Sequence, residues 1–471
     1  MATATSFQFK TQPMRHQAEA FAFAEGKPAW YSAMEMGTGK SKVAIDCIAS
    51  RETRTNLIIC PAAVLGVWRR EFARHCPAEH ETLVLDKGSA ATKAAQSDAF
   101  LHRMRGSRTL ATVVMNYETS YQDAMAKFLI CRTWDSCTLD EAHRIKKPSG
   151  CQSKLAARLR PLSGFRQCLS GTPTPHSPLD IWAQFRFLDP SVYQKTYTLF
   201  RGRYAVCDRM FPSKVLQWIE QDEWTERFYQ LAYRVKSADV LDLPSITHDT
   251  RVVALSPAAK KLYRQLEEEL IADVGHGVVV ASNALVKLLR LQQITSGYIP
   301  TENPDGTEAV THLGDWKADA LCALLEDMPT TEPVVVFCRF RQDLDAVRVV
   351  AARTGRRYGE LSGRQKDLTP DATMRDDIDL QGVQIQSGGV GVDFTRAAYA
   401  VYFSVGFSLG DFEQSVARLH RKGQERPVRI YHLVAEGTVD RAVYGALRKR
   451  KEVVESVLTQ MQEGSVEDES D

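Results

Sequence analysis

Two short stretches about a hundred residues apart hold side chains whose types and spacing suit phosphate chemistry. The first is Ala33-Met34-Glu35-Met36-Gly37-Thr38-Gly39-Lys40-Ser41. Glycines let a backbone curl until its N–H groups converge on an anion, and a helix starting nearby adds its positive end. Lys40 is expected to reach the β- and γ-phosphates of a nucleotide cradled by Gly37, Thr38 and Gly39, with the Ser41 hydroxyl on Mg2+. The usual first glycine of such a loop is missing, because position 34 is Met. The second stretch is Asp140-Glu141-Ala142-His143. Phosphoryl transfer to water needs a carboxylate for the metal and a second group to orient and deprotonate the water. Asp140 suits the first role and Glu141 the second. Taken singly, each stretch is also compatible with a turn or a surface loop. Together they point to a nucleoside triphosphatase.

A third segment lies far along the chain, at Gln414-Ser-Val-Ala-Arg418-Leu-His-Arg421-Lys-Gly-Gln424. If helical, it sets Gln414, Arg418 and Arg421 on one face. Two guanidiniums could then meet charge developing on a transferred phosphate. By itself the segment reads better as a solvated basic helix.

The elements that must position these groups are short apolar runs separated by helical stretches. Asn56–Cys60 ends at Pro61 and is followed by an amphipathic run from Val64 to His75. Thr112–Met115 ends at Asn116, Ser136–Leu139 at the acidic pair, and Gln167–Ser170 at Gly171. Such alternation predicts a parallel α/β sheet, whose ligands gather at the carboxyl ends of the strands. Each polar cluster sits at such an end. The pattern becomes irregular and aromatic after Tyr204. It alternates like a strand from Ile246 to Leu255 and turns helical from Ser256 to Gly297. Strand–helix alternation then resumes with Pro333–Cys338, Val383–Ile385, Ala400–Phe403 and Val428–Leu433. The expected organisation is a first α/β lobe over 1–203 and a helical insertion over 204–245. A second lobe over 246–455, with its own helical insertion at about 256–300, and an acidic, disordered tail over 456–471 would complete it.

Composition bounds the alternatives. With 471 residues, 44% apolar and 25% charged, the chain can bury two or three domain cores. No run approaches the roughly 20 apolar residues of a membrane span, and the N-terminus lacks a signal-peptide layout. A cytoplasmic protein is expected. Ten scattered cysteines form no Cys-x-x-Cys pair, which favours buried thiols over disulfides or zinc. A net charge of +2 means that a nucleic-acid binder must concentrate its basic residues locally, as around Arg144-Ile-Lys146-Lys147.

Laid out in order, these segments resemble the motifs of the Swi/Snf-like branch of superfamily II DNA helicases and translocases, across nearly the whole chain. Pro13-Met-Arg15-His16-Gln17 resembles the adenine-recognising glutamine motif, with Gln17 as reader. Ala33–Ser41 is similar to motif I, with Met34 where the family usually has an acidic residue. Ile59–Phe72 resembles motif Ia, implying DNA-backbone contacts at Pro61 and Trp68. Asn116-Tyr117 looks like the next DNA-side motif, and Asp140–Pro148 like the branch's extended motif II. Ser170-Gly171-Thr172 resembles motif III, which couples hydrolysis to lobe movement. Leu288–Gly297 and Val336-Phe337-Cys338 are similar to the helical landmark before motif IV and to motif IV itself. Gln386–Asp393 resembles motif V, implying DNA contacts at Ser387 and Gly388 and nucleotide contacts at Gly391 and Asp393. Gln414–Gln424 resembles motif VI, implying that Gln414 faces the nucleotide and that Arg418 and Arg421 are arginine fingers.

The resemblance implies two tandem RecA-like lobes using ATP and Mg2+. It implies a monomeric motor on duplex DNA, gripped through its backbone without sequence preference, in a bacterial or phage-infected cell. A strand-separating helicase shares every motif. A nucleotide-gated scaffold with little hydrolysis is the alternative from another class. One departure stands out. The branch often has Trp-Asn-Pro before motif VI, where this chain has Gly406-Phe407-Ser408-Leu409-Gly410-Asp411.

Overall fold

The computed structural model describes residues 7–175, 177–208, 210, 215–273, 280–302, 308–386 and 392–459. The chain divides into two units, Asp242–Lys449 and the remainder, so the division falls after Leu241 and again after Lys449. Each contains a parallel sheet flanked by helices, the α/β class that the alternation predicts.

The first lobe holds β1 (Ala29–Met34), β2 (Thr55–Cys60), β3 (His80–Val84), β4 (Leu110–Asn116), β5 (Trp134–Asp140) and β6 (Ser163–Leu169). A small antiparallel hairpin, β7 (Ala205–Cys207) with β8 (Val215–Trp218), precedes β9 (Ala232–Val235). The main sheet runs β3-β4-β2-β5-β6-β1-β9, and every pairing in it is parallel. The segment 204–245 therefore differs from the expected helical insertion. It contains a hairpin and the helix Gln221–Leu231, but β9 returns to extend the main sheet beside β1.

Central strands covered on both faces read as continuous apolar runs. β1 is buried at every position and β2 at all but its first. Polar groups inside are paired across strands. Trp30 Nε1 donates to Gln167 Oε1 at 2.8 Å, and Gln167 Nε2 donates to Thr138 Oγ1 at 3.0 Å, which ties β1, β6 and β5 together. The helices that matter for the site are α1 (Arg15–Ala24), α2 (Lys40–Ala49) and α3 (Leu65–His75).

The second lobe holds β10 (Ile246–Val253), the hairpin β11 (Tyr298–Glu302) and β12 (Glu308–His312), β13 (Val334–Cys338), β14 (Tyr358–Leu361), β15 (Leu380–Gln384), β16 (Tyr399–Tyr402) and β17 (Val428–Ala435). Its parallel sheet runs β10-β17-β16-β13-β15-β14. Helices Pro257–Asp273 and Val280–Thr295 fall within the expected insertion. The last helix, Val439–Thr459, continues past the expected start of the disordered tail at 456. Its apolar residues Val453, Val454, Val457 and Leu458 keep helical spacing to that point.

A buried ion pair organises this lobe. Lys317 Nζ lies 2.8 Å from Asp440 Oδ2 and donates to the Phe403 carbonyl at 3.0 Å. Asp440 also accepts from Thr295 Oγ1 at 2.9 Å and from the Ala435 amide at 3.1 Å. Removing one partner of a buried pair strands the other charge. Asp440→Ala is therefore expected to destabilise lobe two by roughly 3–5 kcal/mol, measured as a shift in its denaturant midpoint.

Among the described residues no helix is long and apolar enough to cross a membrane. All ten cysteines are free thiols. Burial pushes those of Cys47 and Cys137 up to about 12, which leaves them protonated and unreactive.

Candidate functional site

The strand order decides where the chemistry gathers. β4, β2, β5, β6 and β1 are successive neighbours and run in one direction. Their carboxyl ends deliver Asn116, Pro61, Asp140, Ser170 and the glycine loop to one edge of the sheet. Crevices outside such ends are where open α/β sheets bind ligands.

The glycine loop joins β1 to α2. Gly37 and Gly39 sit at φ +78° and +89°, a region costly for any residue with a Cβ. At position 39 there is also no room, because an added Cβ would lie 2.3 Å from Gln17 Nε2. Thr38 Oγ1 donates to the Glu35 carbonyl at 2.6 Å. Lys40 Nζ donates to the carbonyls of Met34 at 2.9 Å and Glu35 at 3.1 Å, which holds the ammonium inside the loop. Gln17 reaches the loop as well. Its amide donates to the Thr38 carbonyl at 3.0 Å and accepts from the Met14 amide at 3.0 Å, while a His16 ring nitrogen lies 2.9 Å from the same Thr38 oxygen. Glu35 ties the loop to the segment after β9, accepting from the Ser237 amide at 2.9 Å and hydroxyl at 2.8 Å.

Asp140 closes β5, and Glu141 turns the chain through the left-handed region at φ +51°. Asp140 is held on three sides. Its Oδ2 accepts from Trp68 Nε1 at 3.1 Å, its Oδ1 from the Glu141 amide at 3.0 Å, and its carbonyl from Tyr117 OH at 2.9 Å. Burial and the adjacent Glu141 push the Asp140 carboxyl above the usual carboxylate range, against the pull of Lys40. Two carboxyls packed together resist being charged at once, and a divalent cation between them would favour the charged pair. The hard oxygens of Ser41 and Asp140 are the donor type that Mg2+ takes.

The Ser170-Gly171-Thr172 turn touches both halves of this arrangement. Ser170 Oγ lies 3.0 Å from His143 Nδ1, which in turn lies 3.3 Å from Glu141 Oε2. The Thr172 amide donates to Ser170 Oγ at 3.2 Å, and the Ser170 amide to the Ser32 carbonyl of β1 at 3.1 Å. A Cβ on Gly171 would stand 3.3 Å from the Met36 amide nitrogen, so this turn packs against the glycine loop.

The residues expected on DNA are placed differently. Trp68 and Tyr117 are each 1% exposed and turn inward to Asp140, and Pro61 is buried. These three are interior residues and not the surface contacts expected of them. The reason lies in α3, where Leu65, Trp68, Phe72 and His75 form the buried face and Arg69, Arg70 and Arg74 the exposed one. Asn116 stays partly exposed, donating to Glu118 at 3.0 Å, and Glu118 pairs with Arg144 at 3.2 Å. Ser387, Gly388 and Gly391 lie outside the described residues.

In lobe two the structure corrects the helix expected over 414–424. The helix Leu409–Val416 carries buried Gln414 and stops at its cap, Ala417, so Arg418 and Arg421 stand on turns beyond it. Continuing the helix would need the carbonyls of Arg418 and Leu419. The Phe394 amide takes the first at 2.9 Å and Gln424 Nε2 the second at 3.3 Å. These bonds still bring the two expected motifs together. Arg421 Nε lies 3.8 Å from Asp393 Oδ2, while Asp393 Oδ1 accepts from the Thr395 amide at 2.8 Å and hydroxyl at 2.7 Å. Arg418 is buried and Arg421 half-buried.

Residues 32–297 match the SNF2-related domain, and residues 316–423 match the helicase conserved C-terminal domain. The chain belongs to the SNF2-related family. Similar proteins include the zebrafish (Danio rerio) chromodomain-helicase-DNA-binding protein 1-like, 24% identical over 90% of this chain and 41% of its own length. The putative ATP-dependent helicase/translocase YwqA of Bacillus subtilis is 24% identical over 90% of this chain and 46% of its own. This SNF2-related chain thus spans less than half the length of these relatives. The Sulfolobus solfataricus SWI2/SNF2 ATPase core in complex with dsDNA aligns with 97% of this chain and 94% of its own, at 19% identity and a TM-score of 0.43. In this SNF2-related chain the glycine loop, the acid pair and the Ser-Gly-Thr turn stand at the carboxyl ends of β1, β5 and β6.

Proposed function

We propose that this chain is a DNA-dependent ATPase that couples hydrolysis to movement along duplex DNA. The observation that carries the reading is the convergence of Lys40, Asp140, Glu141 and Ser170 at the carboxyl ends of adjacent strands. Membership of the SNF2-related family supports it, as do relatives named as ATP-dependent helicases.

In this reading the loop amides at 37–39 and Lys40 hold the triphosphate, with Gln17 at the base side. Ser41 and Asp140 would hold Mg2+, which supplies charge neutralisation on the phosphates. Glu141 orients the attacking water and takes its proton, and His143 links it to Ser170. Arg418 and Arg421, with Gln414 and Asp393, are the contribution of lobe two. Their guanidiniums suit charge that develops on a transferred phosphate, and Ser170, Gly171 and Thr172 form the coupling turn of lobe one. DNA is held through phosphates, so no sequence preference is expected.

ATPase rates measured with duplex DNA, single-stranded DNA, RNA and no nucleic acid test the reading. Strong stimulation by duplex DNA is expected, and a rate indifferent to nucleic acid would defeat it. Triplex displacement without strand separation on forked DNA would mark a translocase; unwinding would mark a helicase. Glu141→Gln removes the proton acceptor but keeps the side-chain shape. It is expected to bind ATP normally while turnover falls roughly 10²–10⁴-fold, read by single-turnover hydrolysis against equilibrium nucleotide binding.

A further inference from the structure

Trp68 and Tyr117 approach Asp140 from segments that sequence alone assigns elsewhere. Trp68 lies on α3, which follows β2, and Tyr117 directly follows β4. β2 is the sheet neighbour of β5, and β4 is the neighbour of β2. The indole can only donate, and it donates to one carboxylate oxygen of Asp140 at 3.1 Å, while the phenol donates to the Asp140 carbonyl at 2.9 Å. One bond fixes the rotation of the carboxylate and the other fixes the backbone that carries it. Both aromatic rings are enclosed. The chain neighbours of these residues face outward. Arg69 and Arg70 follow Trp68 on the exposed side of α3, and Glu118 follows Tyr117 and pairs with exposed Arg144.

We propose that Trp68 and Tyr117 are positioning residues. They aim the Asp140 carboxylate at the divalent cation, and they carry displacement of the basic outer face of α3 by a nucleic-acid backbone to that cation. The inference rests on the ATPase reading given above. It adds a route by which phosphates outside the lobe tune metal affinity inside it. Arg69 and Arg70 take the phosphates, α3 shifts as a rigid element, and the indole N–H moves with it.

The test is the binding of a fluorescent ATP analogue, titrated with Mg2+ and repeated in chelator, for wild type, Trp68→Phe and Tyr117→Phe. Loss of a group that orients a metal ligand costs roughly 10–100-fold in metal affinity. Trp68→Phe is expected to need that much more Mg2+ for half-maximal binding, with affinity in chelator unchanged and duplex DNA no longer lowering the requirement. Tyr117→Phe, which keeps the packing of the ring, should shift it in the same direction by a smaller factor. A merely structural role would lower the melting temperature and weaken binding equally with and without Mg2+, and that result overturns the proposal. So does a Mg2+ requirement equal to wild type in both variants. If wild type itself shows no Mg2+-dependent nucleotide binding, the ATPase reading fails and takes this one with it.

Discussion

Lys40→Ala is expected to abolish ATP hydrolysis, with a fall of at least roughly 10³-fold in turnover. The ammonium is already bonded to the carbonyls of Met34 and Glu35, so its position is set before any nucleotide arrives. A preplaced charge costs no reorganisation as the transition state forms, which is why its removal weighs on rate as well as on binding. Lys40→Arg keeps the charge but replaces a compact ammonium with a planar fork, and it should rescue little. Phosphate release measured alongside a thermal melt separates lost chemistry from lost fold. Lys40 is a partly exposed loop-end residue, so the melt should barely move. Residual turnover within about tenfold of wild type would mean that the loop does not hold the triphosphate.

Arg421→Ala is expected to slow turnover on the order of 10³-fold or more, as removal of an arginine finger does. ATP affinity should change little, because a contact made late in the reaction leaves ground-state binding intact. Asp393 lies 3.8 Å from the Arg421 guanidinium and is itself fixed by Thr395. The guanidinium is thus steadied within lobe two by a turn rather than by a helix. Single-turnover hydrolysis and equilibrium binding, run on the same preparation, distinguish the outcomes. A parallel loss of affinity and rate would assign Arg421 to ordinary ground-state binding.

Much of this site was legible in the sequence because its residues are of types that only a few jobs require. Asp140 ends a strand and Gly39, Lys40, Glu141 and Ser170 follow strands, and β1, β6 and β5 are successive neighbours. What stayed hidden has physical reasons. β1, Ala-Trp-Tyr-Ser-Ala-Met, has no β-branched residue, and its identity comes from burial on both faces. β3 and β14 are sheet edges whose residues, His-Glu-Thr-Leu-Val and Tyr-Gly-Glu-Leu, mix polar with apolar. The helix expected through Arg418 and Arg421 ends at Val416, and the Arg418 carbonyl accepts from the Phe394 amide, a tertiary bond that no local pattern encodes. Trp68 is the instructive case. The buried period Leu65, Trp68, Phe72 was visible in the amphipathic run, and it already placed the indole on the inner face of α3. Periodicity places Trp68 inward, against the outward DNA contact that the motif resemblance implies.

The place of β1 in its sheet has a consequence for how the molecule is made. β1 precedes both of its sheet neighbours in the chain, and these, β6 and β9, end only at Leu169 and Val235. At about 5–20 residues per second, the nascent chain spends on the order of ten seconds or more with Ala29–Met34 unpaired. The Glu35 amide, which opens the glycine loop, meets its acceptor only when the Val235 carbonyl emerges. Until then the glycine loop lacks the bond that ties its first residues to β9, and an apolar segment waits in need of shelter.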